Sequence, residues 1–295
     1  MQATAQCLIW DFSKGEKAND LSVLIDFMEF KRNMQNKKSY DLIFSIGEAC
    51  SCTQSLRDSK LQVFSYPLDW LFGSNFEGRM SILLNDFERF IDKDDLKYSF
   101  YTPSIKCDAY ENTFNGIVFN HDFLKRVEFN EMYKQVKAKY DRRIARLLSQ
   151  IRRAKSILIV YLETPNCVNK LTDDDIITEQ LHKIKEKYPN KIINILYFTN
   201  DKDMNSMEYK EKFIADDIVK VVANYKLNDI WGGGIDYLVI PEFFNQYLQN
   251  YSLNIPLNIK IQLLNRRIKR SSIKLLINLV PNKAVRKNLR KKYLR

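Results

Sequence analysis

Cys50 stands at the one place in this chain where a strand-to-helix junction would deliver a nucleophile. The apolar run Leu42-Ile43-Phe44 continues to Ile46 and stops at Gly47, Cys50 follows three residues later, and Thr53-Gln54-Ser55-Leu56-Arg57 reads as helix. The start of a helix offers unpaired N–H groups and a partial positive charge, and both favour thiolate over thiol. The competing reading is a small buried side chain, as most free cysteines are. Cys52 would lie in the first helical turn, point away from Cys50 and serve as core.

A cysteine nucleophile needs a base, and the chain has two histidines, His121 and His182. His182 falls mid-helix among Lys183, Lys185 and Glu186 and is expected to face solvent. His121 follows the short apolar run Gly116 to Asn120 and is expected at a strand end. The base in turn needs an acceptor to orient its second ring nitrogen. Asp122 is its neighbour, but neighbours on a strand point to opposite faces. Asp69, in Tyr66-Pro67-Leu68-Asp69-Trp70, is therefore the first choice and Asp122 the second, with Trp70 as a wall of the site. Arg142, Arg143 and Arg146 lie within about one helical turn and are candidates for a phosphate or substrate carboxylate. The commoner outcome for such a run is a solvated face. No metal motif is present, and no metal or cofactor is expected.

The surrounding pattern predicts an α/β fold, a largely parallel central sheet with helices on both sides, followed by a basic helical tail. Asp41–Ile46, Ser156–Leu162, Ile192–Phe198 and Asp217–Ala223 read as strands, with a short further one at Leu61–Ser65. Helices are expected at Leu21–Met34, Ser81–Ile91, Glu131–Ala154, Thr172–Tyr188 with Thr172 as cap, and Tyr237–Tyr247. In the longest, Met132, Val136, Tyr140, Ile144, Leu147 and Ile151 form one apolar face. Residues 92–115 read as irregular, and Gly232-Gly233-Gly234 as a loop with no nucleotide role. Strand, helix, strand over residues 156–198 is a βαβ unit. Strand ends at Ile46 and Asn120 would then meet at one edge of the sheet.

The chain has 295 residues, 45% hydrophobic and 28% charged, which suits a globular protein. The amino terminus has no basic segment followed by an apolar one, so no secretory signal is expected. Five scattered cysteines suit reduced thiols, and a cytoplasmic location, peripheral on the inner membrane, is the expectation. The net charge of +11 is local. Lys260 to Arg295 holds 13 Lys+Arg and no acid, leaving 34 basic against 36 acidic residues elsewhere.

Residues 1–255 are therefore read as the α/β domain and 256–295 as a basic amphipathic tail, divided at Pro281. In its first part Leu264, Ile268, Leu275, Leu276 and Leu279 form a stripe expected to pack. The second, with Arg286, Lys287, Arg290, Lys291 and Lys292, is expected on an anionic membrane surface. Nucleic acid is the weaker reading, because Tyr293 is the tail's only aromatic.

Ser45-Ile46-Gly47-Glu48-Ala49-Cys50 with Leu56, then Ser65 to Trp70, Asn120-His121-Asp122-Phe123 and Lys139-Tyr140-Asp141-Arg142-Arg143 are similar to a known pattern. It is S-L-G-x-x-C, P-F-D-W, H-D-F and K-Y-x-R-R, and it resembles the bacterial papain-like cysteine peptidase family of unknown function. The similarity covers residues 41–163 and continues more weakly towards 235. Leu68 replaces the usual Phe. The resemblance implies a thiol active site more strongly than proteolysis, and a setting near surface-polysaccharide genes. Leu279 to Lys287 is separately similar to the C-terminal ends of cell-surface glycosyltransferases. Two functions follow as expectations. One is a thiol-dependent hydrolase or acyltransferase acting on a peptide or glycan precursor. The other is a membrane-associated glycan-assembly transferase or accessory protein in which Cys50 is structural.

Overall fold

The computed structural model describes residues 37–103, 105–164, 173–201, 203–205, 208–224, 227–228, 237–238 and 242–293. The expected helix at 21–34, Thr172 and the triple glycine lie outside them. The chain divides into two compact units, residues 1–253 and 254–295.

The first unit is built on a five-stranded sheet. Its strands are β2 (Leu42–Ser45), β6 (Ser156–Leu162), β7 (Ile192–Asn200), β9 (Ile218–Ala223) and β8 (Tyr209–Ala215), in that spatial order. All neighbours are parallel except β8 and β9, which form an antiparallel pair. β6 reads SILIVYL and is buried from Ile157 onward, the signature of a strand covered on both faces. Alternation along β2 sends Leu42 and Phe44 to one core and Ile43 to the other. Helix α1 (Cys50–Asp58) and helix α5 (Glu242–Leu248) contribute Cys52, Leu56, Phe244 and Leu248 to the second core. The first core takes α2 (Phe76–Leu84), α3 (Phe129–Arg153) and α4 (Asp174–Lys187). Short strands β1 (Lys38–Tyr40) and β12 (Tyr251–Leu253) pair in parallel, and β10 (Leu227–Asn228) pairs with β11 (Tyr237–Leu238).

A second sheet was not expected. β3 (Leu96–Thr102) and β4 (Cys107–Asn112), within residues read as irregular, form an antiparallel meander with β5 (Val118–Leu124), which extends the short strand expected at Gly116–Asn120. In β3 three consecutive residues, Lys97, Tyr98 and Ser99, are exposed, so no apolar run marks it. Three further expectations are corrected. Leu61–Ser65 is not a strand, because its groups serve side-chain contacts described below. The helix placed at 81–91 is α2, which starts at Phe76 and ends at Leu84. Asp86, Phe87 and Arg89 beyond it take positive φ, which breaks the helix while Phe87 and Phe90 still reach the core. Within 237–247 the described residues are strand at Tyr237–Leu238 and helix from Glu242 onward. The fourth helix is capped by Asp173, whose side chain accepts from the N–H of Asp175.

The second unit contains α6 (Leu257–Asn278) and α7 (Lys283–Tyr293), separated around Pro281. Leu264, Ile268, Leu275, Leu276 and Leu279, expected to pack, are exposed.

Candidate active site

Cys50 is the first residue of α1 and lies half-buried beyond the carboxyl end of β2. Ile46 and Glu48 continue the ladder past β2, donating to the carbonyls of Val160 and Leu162. Gly47 is required here by close approach. A Cβ at that position would stand 2.6 Å from Cys52 Cβ and 3.1 Å from the backbone N of Leu162. Cys52 is core, with its thiol donating to the Val160 carbonyl at 3.7 Å.

The electrostatics of Cys50 correct the expectation of a resting thiolate. The N–H groups of Cys50 and Ser51 do favour the anion, but loss of water is the larger effect and pushes the thiol above its ordinary value.

The loop that presents Cys50 is held by a residue that the motif reading passed over. Arg79 of α2 is fully buried. Its Nη1 donates to the Gly47 carbonyl at 2.6 Å. Its Nη2 donates to Glu48, Leu71 and Gly73 carbonyls at 3.4, 3.1 and 2.8 Å. Its Nε adds Gly73 and Ser74 at 3.1 and 3.2 Å. One guanidinium thus ties the cysteine loop to the segment after Trp70. That segment continues to β5, where the N–H of Val118 donates to the Phe72 carbonyl at 2.8 Å. The signal was present in Phe76, Arg79, Met80 and Leu83, whose spacing of three and four puts the arginine on the apolar face.

His121 lies within β5, not at its end, and belongs to the antiparallel sheet. From Asp108 to Tyr110 the partner strand advances two residues, while β5 advances four, from Phe123 back to Phe119. The surplus is a bulge centred on His121, a device that re-aims side chains. His121 reaches solvent. Desolvation of its ring and the nearby Lys139 charge lower its pKa, favouring neutral imidazole. That is the form a base requires.

Among the described residues neither expected orienter is hydrogen-bonded to His121. Asp69 is buried, and its oxygens accept from Thr53 Oγ1 at 3.1 Å, Gln62 Nε2 at 2.7 Å and the Tyr66 N–H at 2.7 Å. Burial raises its carboxyl to about 6. It therefore ties α1, one turn beyond Cys50, to the 62–69 loop. Asp122 is engaged by Lys139 and by Tyr140 Oη, the latter at 2.7 Å. Among the described residues no hydrogen bond joins Cys50 to His121. Burial, and in smaller part the Asp69 charge, disfavours ionisation of Tyr140, which holds Asp122.

The arginines divide. Arg142 is exposed. Arg143 stacks over the Tyr140 ring, its carbon 5.3 Å from the centroid, and its buried Nη1 has no hydrogen-bond partner among the described residues. Arg146 donates to the Ser65 carbonyl at 3.0 Å and covers Phe64. Trp70 is half-buried beneath Arg57, 5.3 Å from its centroid. Ser51 Oγ and Asn120 Oδ1, beside Cys50 and His121 in sequence, are also buried without hydrogen-bond partners among the described residues. His182 is exposed, as expected. No group of three metal-ligating side chains occurs among the described residues.

Two acids that sequence reasoning did not single out sit beside the loop. Glu48 accepts from Tyr161 Oη and from Thr164 N and Oγ1, the last two at 2.8 and 2.7 Å. Glu163, bonded to Thr199 Oγ1, is raised to about 7 by burial and by the Glu48 charge. The folded chain holds this proton from about pH 4.5 to 7, where the unfolded chain has lost it. Stability must therefore fall as pH rises through that window. Glu163→Gln should flatten the fall by about 3 kcal/mol, read from urea unfolding at pH 4.5 and 7.5. An unchanged slope would assign the proton elsewhere.

Comparison with known families matches residues 41–202, more than half of the chain, to the family described as "putative papain-like cysteine peptidase". No curated protein and no solved structure gives a significant match. The matched span contains the cysteine loop, the Asp69 cluster, the His121 bulge and the α3 arginines, and by that match the chain belongs to the putative papain-like cysteine peptidase family.

Proposed function

We propose that the protein is a thiol-dependent hydrolase or acyltransferase with Cys50 as nucleophile and His121 as base. The observation that carries this reading is the placement of Cys50 as the first residue of α1, where the N–H groups of Cys50 and Ser51 favour the anion. In the reaction, Sγ attacks an acyl carbon while its proton passes to the His121 ring. The N–H groups at the start of α1 then stabilise the oxyanion. Collapse of the tetrahedral intermediate breaks the bond to the leaving group, which takes the proton from His121. Water or an acceptor hydroxyl or amine releases the acyl group, with His121 again as base.

The substrate is a peptide or a surface-glycan precursor. Arg143 Nη1, with its unused donor, serves a substrate carboxylate or phosphate. Trp70, Arg142 and Arg146 line the approach. No cofactor takes part in this scheme.

A second reading keeps Cys50 structural, in a glycan-assembly transferase or accessory protein. The raised thiol and the missing bond to His121 favour it. Alkylation separates the two. With iodoacetamide, Cys50 should react about tenfold faster than Cys52 and Cys107, with an apparent pKa above that of an ordinary thiol. Equal, slow modification of all three would favour the second reading.

A further inference from the structure

The second unit carries a surface that the thiol chemistry does not use. Along α6 and its cap residue Leu279, the side chains of Leu257, Ile261, Leu264, Ile268, Leu275 and Leu279 are 50–73% exposed. Steps of three, four and seven residues place them in one row along a helix roughly 33 Å long. Ser271 and Ser272, small and uncharged, fill the gap. Lys260 and Lys274, both exposed, lie to one side of the row, about 60–100° around the helix. On α7, Val285 and Tyr293 are 44% and 52% exposed among basic residues. The 13 Lys and Arg of this unit face no Asp or Glu within it.

We propose that residues 254–295 dock on an anionic bilayer surface, the apolar row entering the acyl boundary and the basic side chains remaining at the lipid phosphates. Long lysines beside an apolar row keep their charge at the headgroups while their stems lie in the apolar layer. A second copy of this chain is the poorer occupant, because pairing two such rows would bring 13 positive charges against 13 more. Nucleic acid would neutralise the charge but leave six large aliphatic side chains in water, with Tyr293 the unit's only aromatic. Docking is along the surface, because no described helix is long and apolar enough to cross a membrane.

The test is co-sedimentation of the full chain with vesicles of phosphatidylcholine alone or mixed with phosphatidylglycerol. Binding should be at least tenfold tighter on the anionic vesicles and weaken with salt. Leu264→Asp with Ile268→Asp should lower it at least tenfold. Lys283→Gln with Lys287→Gln, which leaves the apolar row intact, should weaken it less and reduce its salt dependence. Equal binding to both lipids, binding to neither, or retention by the Asp variant would overturn the proposal. So would tighter binding to short duplex DNA than to the anionic vesicles.

Discussion

Arg79→Met should cost the fold about 4 kcal/mol. The guanidinium is fully buried and serves the carbonyls of Gly47, Glu48, Leu71, Gly73 and Ser74. Methionine matches much of its length but donates nothing. A carbonyl left buried without a partner costs roughly 1–3 kcal/mol, and charge-assisted bonds lie at the upper end. Local relaxation will rehydrate some of the five, which keeps the total below their sum. Arg79→Lys should recover only part of the loss, since an ammonium has three donors on one atom and cannot span both segments. Urea unfolding would measure both. A methionine variant within 1 kcal/mol of the parent would show that the loop is held by other contacts.

Removal of the sulfur should have the opposite signature. Cys50 is half-buried at a helix start, and among the described residues its thiol donates no hydrogen bond. Cys50→Ala should therefore leave stability within about 1 kcal/mol while acyl transfer falls to background. Cys52→Ala should do the reverse. That side chain is buried in the core beside Gly47, and its loss should loosen the junction without removing a reacting atom. Two cysteines two residues apart are thus expected to separate cleanly into chemistry and packing.

Much of this arrangement was legible before any coordinates. The continuous apolar runs of β6 and β7 announce buried parallel strands, and the three–four spacing from Val136 to Ile151 announces α3. Gly47 followed by Cys50 and Cys52 announced the junction at the end of β2. What was hidden depends on contacts distant in sequence. β3 and β4 mix aromatics with charges on a half-exposed sheet, so their alternation resembles loop. Phe87 and Phe90 kept helical spacing, yet the positive φ at Asp86, Phe87 and Arg89 comes from tertiary packing that local propensity does not encode. His121 was expected at the edge of the parallel sheet and sits instead on a bulge of the antiparallel one. Asp69 was chosen to orient a histidine and is occupied by Thr53, Gln62 and Tyr66, none of which a motif could specify. The influence of the helix start on Cys50 was named, but it is outweighed by burial, which the sequence does not display.

The most direct measurement is reaction of the full chain with an activated ester, p-nitrophenyl acetate, followed by peptide mapping of the acetylated protein. The account predicts a rapid acetyl adduct on Cys50 that is absent in Cys50→Ala. Acylation should be slowed about 10²-fold in His121→Ala, with Cys52 and Cys107 unmodified. Acetylation of Cys50 at an undiminished rate without His121, or no adduct on Cys50 at all, would contradict it.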